Sequence, residues 1–124
     1  MRTIIAGSRD LNAYQLVCDA VAASGFDITT VLSGTARGID RMGERWAGRR
    51  GIPVETHPAS WEMYGKRAGV RRNEEMADMA DALIAIWDGS SPGTKHMIEV
   101  ARRRGLKIYV HNVTGGTHDK EGDA

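Results

Sequence analysis

Three short stretches concentrate the residues that could do chemistry: "GSR" at 7–9, "SGTARGID" at 33–40 and "DGSSPGT" at 88–94. A Gly, Ser and Thr turn that opens a helix offers backbone N–H groups without intrahelical partners at the positive end of a helix dipole, an environment suited to an anion. In the first stretch, Arg9 carries a guanidinium able to clamp a phosphate through two parallel hydrogen bonds. Gly7 and Ser8 beside it read equally well as a tight turn with an N-cap. In the second, Gly34 and Gly38 permit close backbone approach, Ser33 and Thr35 supply hydroxyls and Arg37 a further guanidinium. Asp40 falls in the first turn of the following helix, where it either accepts from a ribose hydroxyl or caps its own helix.

The third stretch brings Asp88, Gly89, Ser90, Ser91, Gly93 and Thr94 together in a generic anion-binding turn. It is not a Walker A loop, because Lys95 follows Gly93-Thr94 instead of preceding a Ser or Thr, and the chain has no G-x-G-x-x-G. Arg72 and Asn73, in "RRNEEM", and Trp61, near Tyr64, complete the candidates. An exposed indole stacks on a base; a buried one covers the core. His57, His96, His111 and His118 have neither i,i+4 pairing nor acidic partners at ligand spacing, so no metal and no cofactor is expected.

The elements that must position these residues alternate. "RTIIAG", "ITTVLSG", "PVETHPA", "ALIAIWDG" and "LKIYVHNV" read as strands, the third weakest and the fourth most apolar. Between them lie helical patterns: Ala13, Val17, Ala20 and Val21; Ile39, Met42, Trp46 and Ala47; Arg72, Met76, Met79 and Ala80; and the run after Thr94 that closes at Gly105. Trp61 and Tyr64 fall in an irregular segment after the third strand. Strict alternation with short connections predicts an α/β single domain, a five-stranded parallel sheet ordered around its first strand with helices on both faces. In such a sheet ligands bind at the C-terminal ends of the strands. The turns there are 6–10, 32–40, 57–61 and 87–94, which hold most of the small-residue clusters in the chain.

Composition narrows the class. The chain has 124 residues and is 41% hydrophobic, enough for one core, with no run long enough to span a membrane. Residues 1–113 carry 16 basic and 13 acidic groups, too even a balance for a polyanion-binding surface. Thirteen of the 17 basic residues are arginine, the side chain whose planar fork suits phosphate. A lone cysteine, Cys18, sits in an apolar helical pattern and reads as a structural thiol in a reducing, cytoplasmic setting. The tail 114–124, "TGGTHDKEGDA", lacks apolar periodicity and is expected to be disordered.

In order, "GSR", "LSGTARGIDRMGERWA", "PASWEMYGKRAGVRRNEEM" and "DGSSPGT" resemble the YspA/YpsA-like branch of the SLOG family over residues 1 to about 112. That superfamily also holds the DprA/Smf proteins and the LOG-type nucleotide phosphoribohydrolases. The resemblance implies a Rossmann-like domain over residues 1–113, its turns surrounding a nucleotide or nucleotide-derived small molecule, and a homo-oligomer. It implies no single reaction, since related folds host enzymes, sensors and nucleic-acid binders.

"SGTARGID" looks like the DprA signature, and "RNEEM" is similar to the LOG run that opens a helix with the catalytic arginine. On that alignment Arg72 stands at the arginine and Asn73 replaces a lysine. The second LOG motif places a catalytic glutamate three residues after Gly-Thr; here Gly93-Thr94 is followed by Lys95, His96 and Met97. Glu99 lies two residues further, about 200° around the helix. The expectation is therefore binding without hydrolysis, with Arg9, Arg72 and the 89–94 turn on phosphates and Ser33, Gly34 and Gly38 along the sugar-phosphate side. A phosphoribohydrolase and a DprA-like single-strand DNA binder are the alternatives.

Overall fold

Ile4 and Ile5 point to opposite faces of the same strand, and both are fully buried. A strand covered on both faces must be apolar along its length, and so it is in the two central strands of this computed structural model, which describes residues 1–113 and 119–121. These strands are β1 (Arg2–Gly7) and β4 (Ala82–Trp87), paired in parallel from Thr3↔Ala82 to Gly7↔Ile86. β2 (Thr30–Ser33) and β3 (Val54–Thr56) extend the sheet on one side, and β5 (Lys107–Asn112) extends it on the other. All five run parallel, in the order β3-β2-β1-β4-β5.

Helices α1 (Tyr14–Ser24) and α2 (Ile39–Arg49) cover one face, where Val17, Ile39 and Trp46 pack on Ile5, Ile84 and Ile86. Helices α4 (Ala68–Met79) and α5 (Pro92–Arg103) cover the other, where Met76, Met97 and Ile98 pack on Ile4, Leu83 and Ile108. The chain leaves β1 toward β2 and β3, then crosses back to β4. The C-terminal ends of β1 and β4 therefore flank the point where strand order reverses, and a crevice opens there.

Four differences from the sequence pattern bear on the site. Residues expected to be irregular form a short helix α3 (Trp61–Tyr64) and a 3-10 turn, Gly65–Arg67, that lead into α4 three residues earlier than the pattern placed it. The buried residues of α4 are Ala68, Asn73, Met76 and Ala77; of the expected stripe Met79 is 46% exposed and Ala80 lies past the helix end, so the face presented to the core is centred about one position away. β3 is only three residues long and ends before the expected turn at 57–61. Finally, Asp119–Glu121 forms β6, antiparallel to β5, so these three residues depart from the expected disordered tail. An edge strand presents unpaired backbone donors and acceptors, and local composition carries no record of that edge. The rest of that tail, His118 included, lies outside the described residues. Among those residues no helix is long and apolar enough to cross a membrane.

Candidate functional site

The crevice begins with the turn after β1. Gly7 is squeezed between β4 and α2: a Cβ there would collide with the Ile86 carbonyl and stand 2.9 Å from Ile39. Ser8 follows, 1% exposed, with its N–H on the Ile86 carbonyl at 3.1 Å and its Oγ accepting from the Asp88 N–H at 3.1 Å. Ser8 thus ties the first turn to the fourth-strand turn. Arg9, next in line, is exposed at the crevice and has no hydrogen-bond or ion-pair partner among the described residues.

The turn after β2 is built around two glycines and a strained threonine. Thr35 adopts φ 63, uncommon for a β-branched residue, and its N–H bonds Ser33 Oγ at 3.1 Å. Ser33 Oγ itself donates to Glu44 at 2.6 Å, so the hydroxyl is occupied within the fold. Gly38 has φ 78, and a Cβ on it would stand 2.5 Å from the Arg9 carbonyl; it lets the second turn close on the first.

Gly34 faces Arg72 and Asp40: a Cβ on it would stand 2.5 Å from Arg72 Nη1 and 2.9 Å from Asp40 Oδ2. Arg72, on α4, donates from Nη1 to the Gly34 carbonyl at 2.6 Å and from Nε to Asn73 Oδ1 at 3.0 Å, leaving Nη2 without an acceptor among the described residues. Asn73, 7% exposed, in turn bonds the Gly93 carbonyl at 3.3 Å and His96 Nδ1 at 3.1 Å, which locks α4 to the start of α5. Asp40 enters from the first turn of α2, 5% exposed, and accepts from the Ala36 N–H at 3.1 Å. Burial pushes its carboxyl up to about 6, against the opposing pull of the Ala36 amide and the Arg72 guanidinium. Burial likewise lowers Arg72, with Asp40 acting in the other direction.

The turn at 88–94 is organised from within. Asp88 Oδ1 accepts from the Ser90 N–H at 2.9 Å and the Ser91 N–H at 2.8 Å, which holds the Asp88 carboxyl down at about 2. Ser91 Oγ lies 2.9 Å from Asp88 Oδ2 and 3.0 Å from Ser8 Oγ. The amides of Ser90 and Ser91 are therefore taken by Asp88. With Pro92 at the first helical position, the amides that open α5 toward the crevice belong to Gly93 and Thr94.

These pieces enclose a cavity of about 610 Å³, within the range of small-molecule sites. Of the expected residues, Gly7, Ser8, Arg9, Arg37, Asp40, Trp61, Arg72, Asn73, Ser91, Gly93 and Thr94 line it. Ser33, Gly34, Gly38, Asp88, Gly89 and Ser90 do not; the first four build the turns behind the wall. Lys66 and His96 line it without having been singled out. The signal for Lys66 is helical spacing, since 66, 69, 73 and 76 all reach the cavity at steps of three and four. Met97 lies at the cavity wall, 1% exposed, whereas Glu99 is exposed outside it. Among the described residues of the lining, the four cations Arg9, Arg37, Lys66 and Arg72 face two carboxylates, Asp10 and Asp40, and Arg37 is already paired with Asp10 at 3.2 Å. Among the described residues no group of three His, Cys, Asp or Glu side chains could hold a metal ion.

The chain is similar to the "Gene 61 protein" of Mycobacterium phage D29, 38% identical over 117 residues that cover 86% of this chain and 93% of that protein. The profile of the YspA, cpYpsA-related SLOG family (YAcAr) matches residues 1–64, which span β1, the Gly34–Gly38 turn, α2 and α3. With the strand order and the crevice at the switch point, that match assigns the chain to the YspA/cpYpsA-related SLOG family.

Proposed function

We propose that the protein binds a nucleotide or nucleotide-derived small molecule in this crevice and holds it without cutting it. The observation that carries the reading is Arg72: its guanidinium is fixed by Gly34 and Asn73, half-buried, and set in the wall of a cavity that Arg9 also lines. A fixed guanidinium loses little freedom on binding, and each charged hydrogen bond to phosphate is worth about 1.5–3 kcal/mol. The Gly93 and Thr94 amides add helix N-terminal donors. Trp61, 55% exposed at the mouth, offers a face for a base.

Hydrolysis is the rival within the same pocket. The LOG resemblance places a glutamate where Met97 stands, and a thioether neither takes a proton nor offsets charge developing on a ribose. A second rival, single-strand DNA, has one observation in its favour: Arg71 stacks 4.8 Å over Tyr64 beside Lys66 and Trp61. A strand tracked along that segment would lose affinity steeply as salt rises, whereas one nucleotide on two arginines and a helix start would not. Self-association belongs to the reading as well, since Trp61, Met63 and Met79 are exposed at 55%, 72% and 46%. Sedimentation showing only monomer at high concentration would remove it.

The test is mass spectrometry of small molecules carried through purification, followed by calorimetry with those compounds and a panel of nucleoside 5′-monophosphates. A shallow salt dependence and loss of binding in Arg72→Ala are expected. Tight oligonucleotide binding with a steep salt slope, unaffected by Arg72→Ala, would replace this reading with the DNA one.

A further inference from the structure

The inference rests on the nucleotide site proposed above and concerns the buried carboxylate in its wall. Asp40 reaches the cavity from α2 and is held at Oδ2 by the Ala36 amide. Charged groups surround it from several elements, and Asp10, Arg37 and Lys66 line the same cavity. Arg72 flanks it from α4; Glu44 adds a like charge from one turn further along α2; Arg9, after β1, acts on Arg72. The Gly7 amide contributes from the end of β1, and His96, bonded to Asn73, faces the same cavity from α5.

Arg72 Nη1 and Asp40 Oδ2 lie 2.5 and 2.9 Å from one point, where a Cβ on Gly34 would stand, and both residues line the cavity, so a phosphate seated on Arg72 brings its oxygens near Asp40. Two anions in contact in a water-poor site do not both stay charged, and the one that holds a proton more readily becomes neutral. We propose that Asp40 contacts the ligand as a neutral carboxylic acid, donating a hydrogen bond to an anionic oxygen, so that binding takes up one proton from solvent. Asp40 then makes recognition of an anion pH-dependent: it donates to an anionic acceptor beside Arg72 only once it holds a proton, whereas a neutral nucleoside leaves its ionisation unchanged. Burial has already pushed its carboxyl to about 6 in the free protein, so the bound state extends an existing bias.

The sign follows. A ligand anion raises the Asp40 pKa further, so binding and protonation favour each other. Below about pH 6 the proton is already present and affinity is flat with respect to this group. Above it the proton must be taken from solution, and affinity falls with pH, by at most about tenfold per unit.

Calorimetry on the full chain between pH 5 and 8.5 tests this, with inorganic sulfate, whose charge is fixed over that range, and with nucleoside 5′-monophosphates. A monophosphate ionises near pH 6 itself and can take up the proton in place of Asp40, so sulfate, which cannot, assigns the uptake to Asp40. In Asp40→Asn the amide still accepts from Ala36 and can donate to an anion. Expected results are close to one extra proton taken up by wild type at pH 7.5, measured in buffers of different ionisation enthalpy. The variant should match wild type within about threefold at pH 5 and bind at least tenfold more tightly at pH 8. Equal proton uptake in both proteins overturns the proposal and leaves the site standing. So does loss of binding in Asp40→Asn at every pH with unchanged thermal stability, which would mean that the ionised carboxylate makes the contact. Failure of wild type to bind any probe overturns the site and this proposal together.

Discussion

Arg72 Nη1 sits 2.6 Å from the Gly34 carbonyl, and a Cβ placed on Gly34 would stand 2.5 Å from that same nitrogen. The absence of a side chain at position 34 is what lets the guanidinium lie against the turn. Gly34→Ala should therefore displace Arg72, and with it Asp40, which the added carbon would meet at 2.9 Å. The contact is with side-chain ends, so the fold should survive with a Tm change of a few degrees. Nucleotide affinity measured by calorimetry should fall about 10- to 100-fold, or about 1.4–2.8 kcal/mol.

Arg72→Lys should not rescue Arg72→Ala. Lysine has no fork to bond Gly34 and Asn73 while presenting a further donor to the cavity. Both variants should lose about 1.5–3 kcal/mol of ligand binding. Retention of full affinity in Arg72→Lys would show that only charge, and no fixed geometry, matters at this position.

Thr35 occupies left-handed backbone with a β-branched side chain, a conformation that costs on the order of 1–3 kcal/mol. Asparagine tolerates that region much better. Thr35→Asn should raise stability by about 1 kcal/mol in chemical denaturation, leaving the Ser33 bond to the position-35 amide intact. An unchanged midpoint would mean that the strain is offset by contacts of the threonine side chain.

Asp88 ties two amides and two hydroxyls together at the start of α5. Asp88→Ala should lower stability by about 1–2 kcal/mol and loosen the Gly93–Thr94 helix start. The pH dependence has a definite sign. A carboxyl held down at about 2 from an ordinary 3.8 stabilises the fold fully above pH 4, and that contribution disappears as pH falls toward 2. Acid titration followed by circular dichroism should show a step between pH 4 and 2 that is smaller in Asp88→Ala.

No free base should be released when the protein is incubated with nucleoside monophosphates and the mixture is followed chromatographically. General acid–base help contributes about 10²- to 10⁴-fold, and the carboxylate that the LOG resemblance requires is absent at Met97. Turnover abolished by Asp40→Asn would reverse the binding-only reading, because Asp40 is the buried carboxylate in the cavity wall.

Much of this architecture was legible in the residue order. Apolar runs alternating with 3.6-residue patterns determined a parallel sheet with helices on both faces, because parallel neighbours require crossover helices. That topology fixed which turns meet at one edge, and so brought Arg9, Asp40 and Gly93 together, while Arg72 joined them through the LOG resemblance. These properties are local, written in spacing along the chain.

What the tertiary structure alone decided is which polar groups remain available. Ser8 and Asp88 are 80 residues apart, and their bond uses the Asp88 N–H and one lone pair of Ser8 Oγ within the fold. Ser33 is consumed by Glu44, and Arg72 is fixed by a carbonyl 38 residues away. The turn of α4 that exposes Met79, the arrival of Lys66 and His96 at the cavity, and the pairing of β6 with an open edge are likewise long-range events. A residue type states what a side chain can bond. Whether it is spent inside the fold or left facing a ligand depends on partners that only folding brings within 3 Å, and on burial that shifts a carboxyl such as Asp40 from its ordinary ionisation.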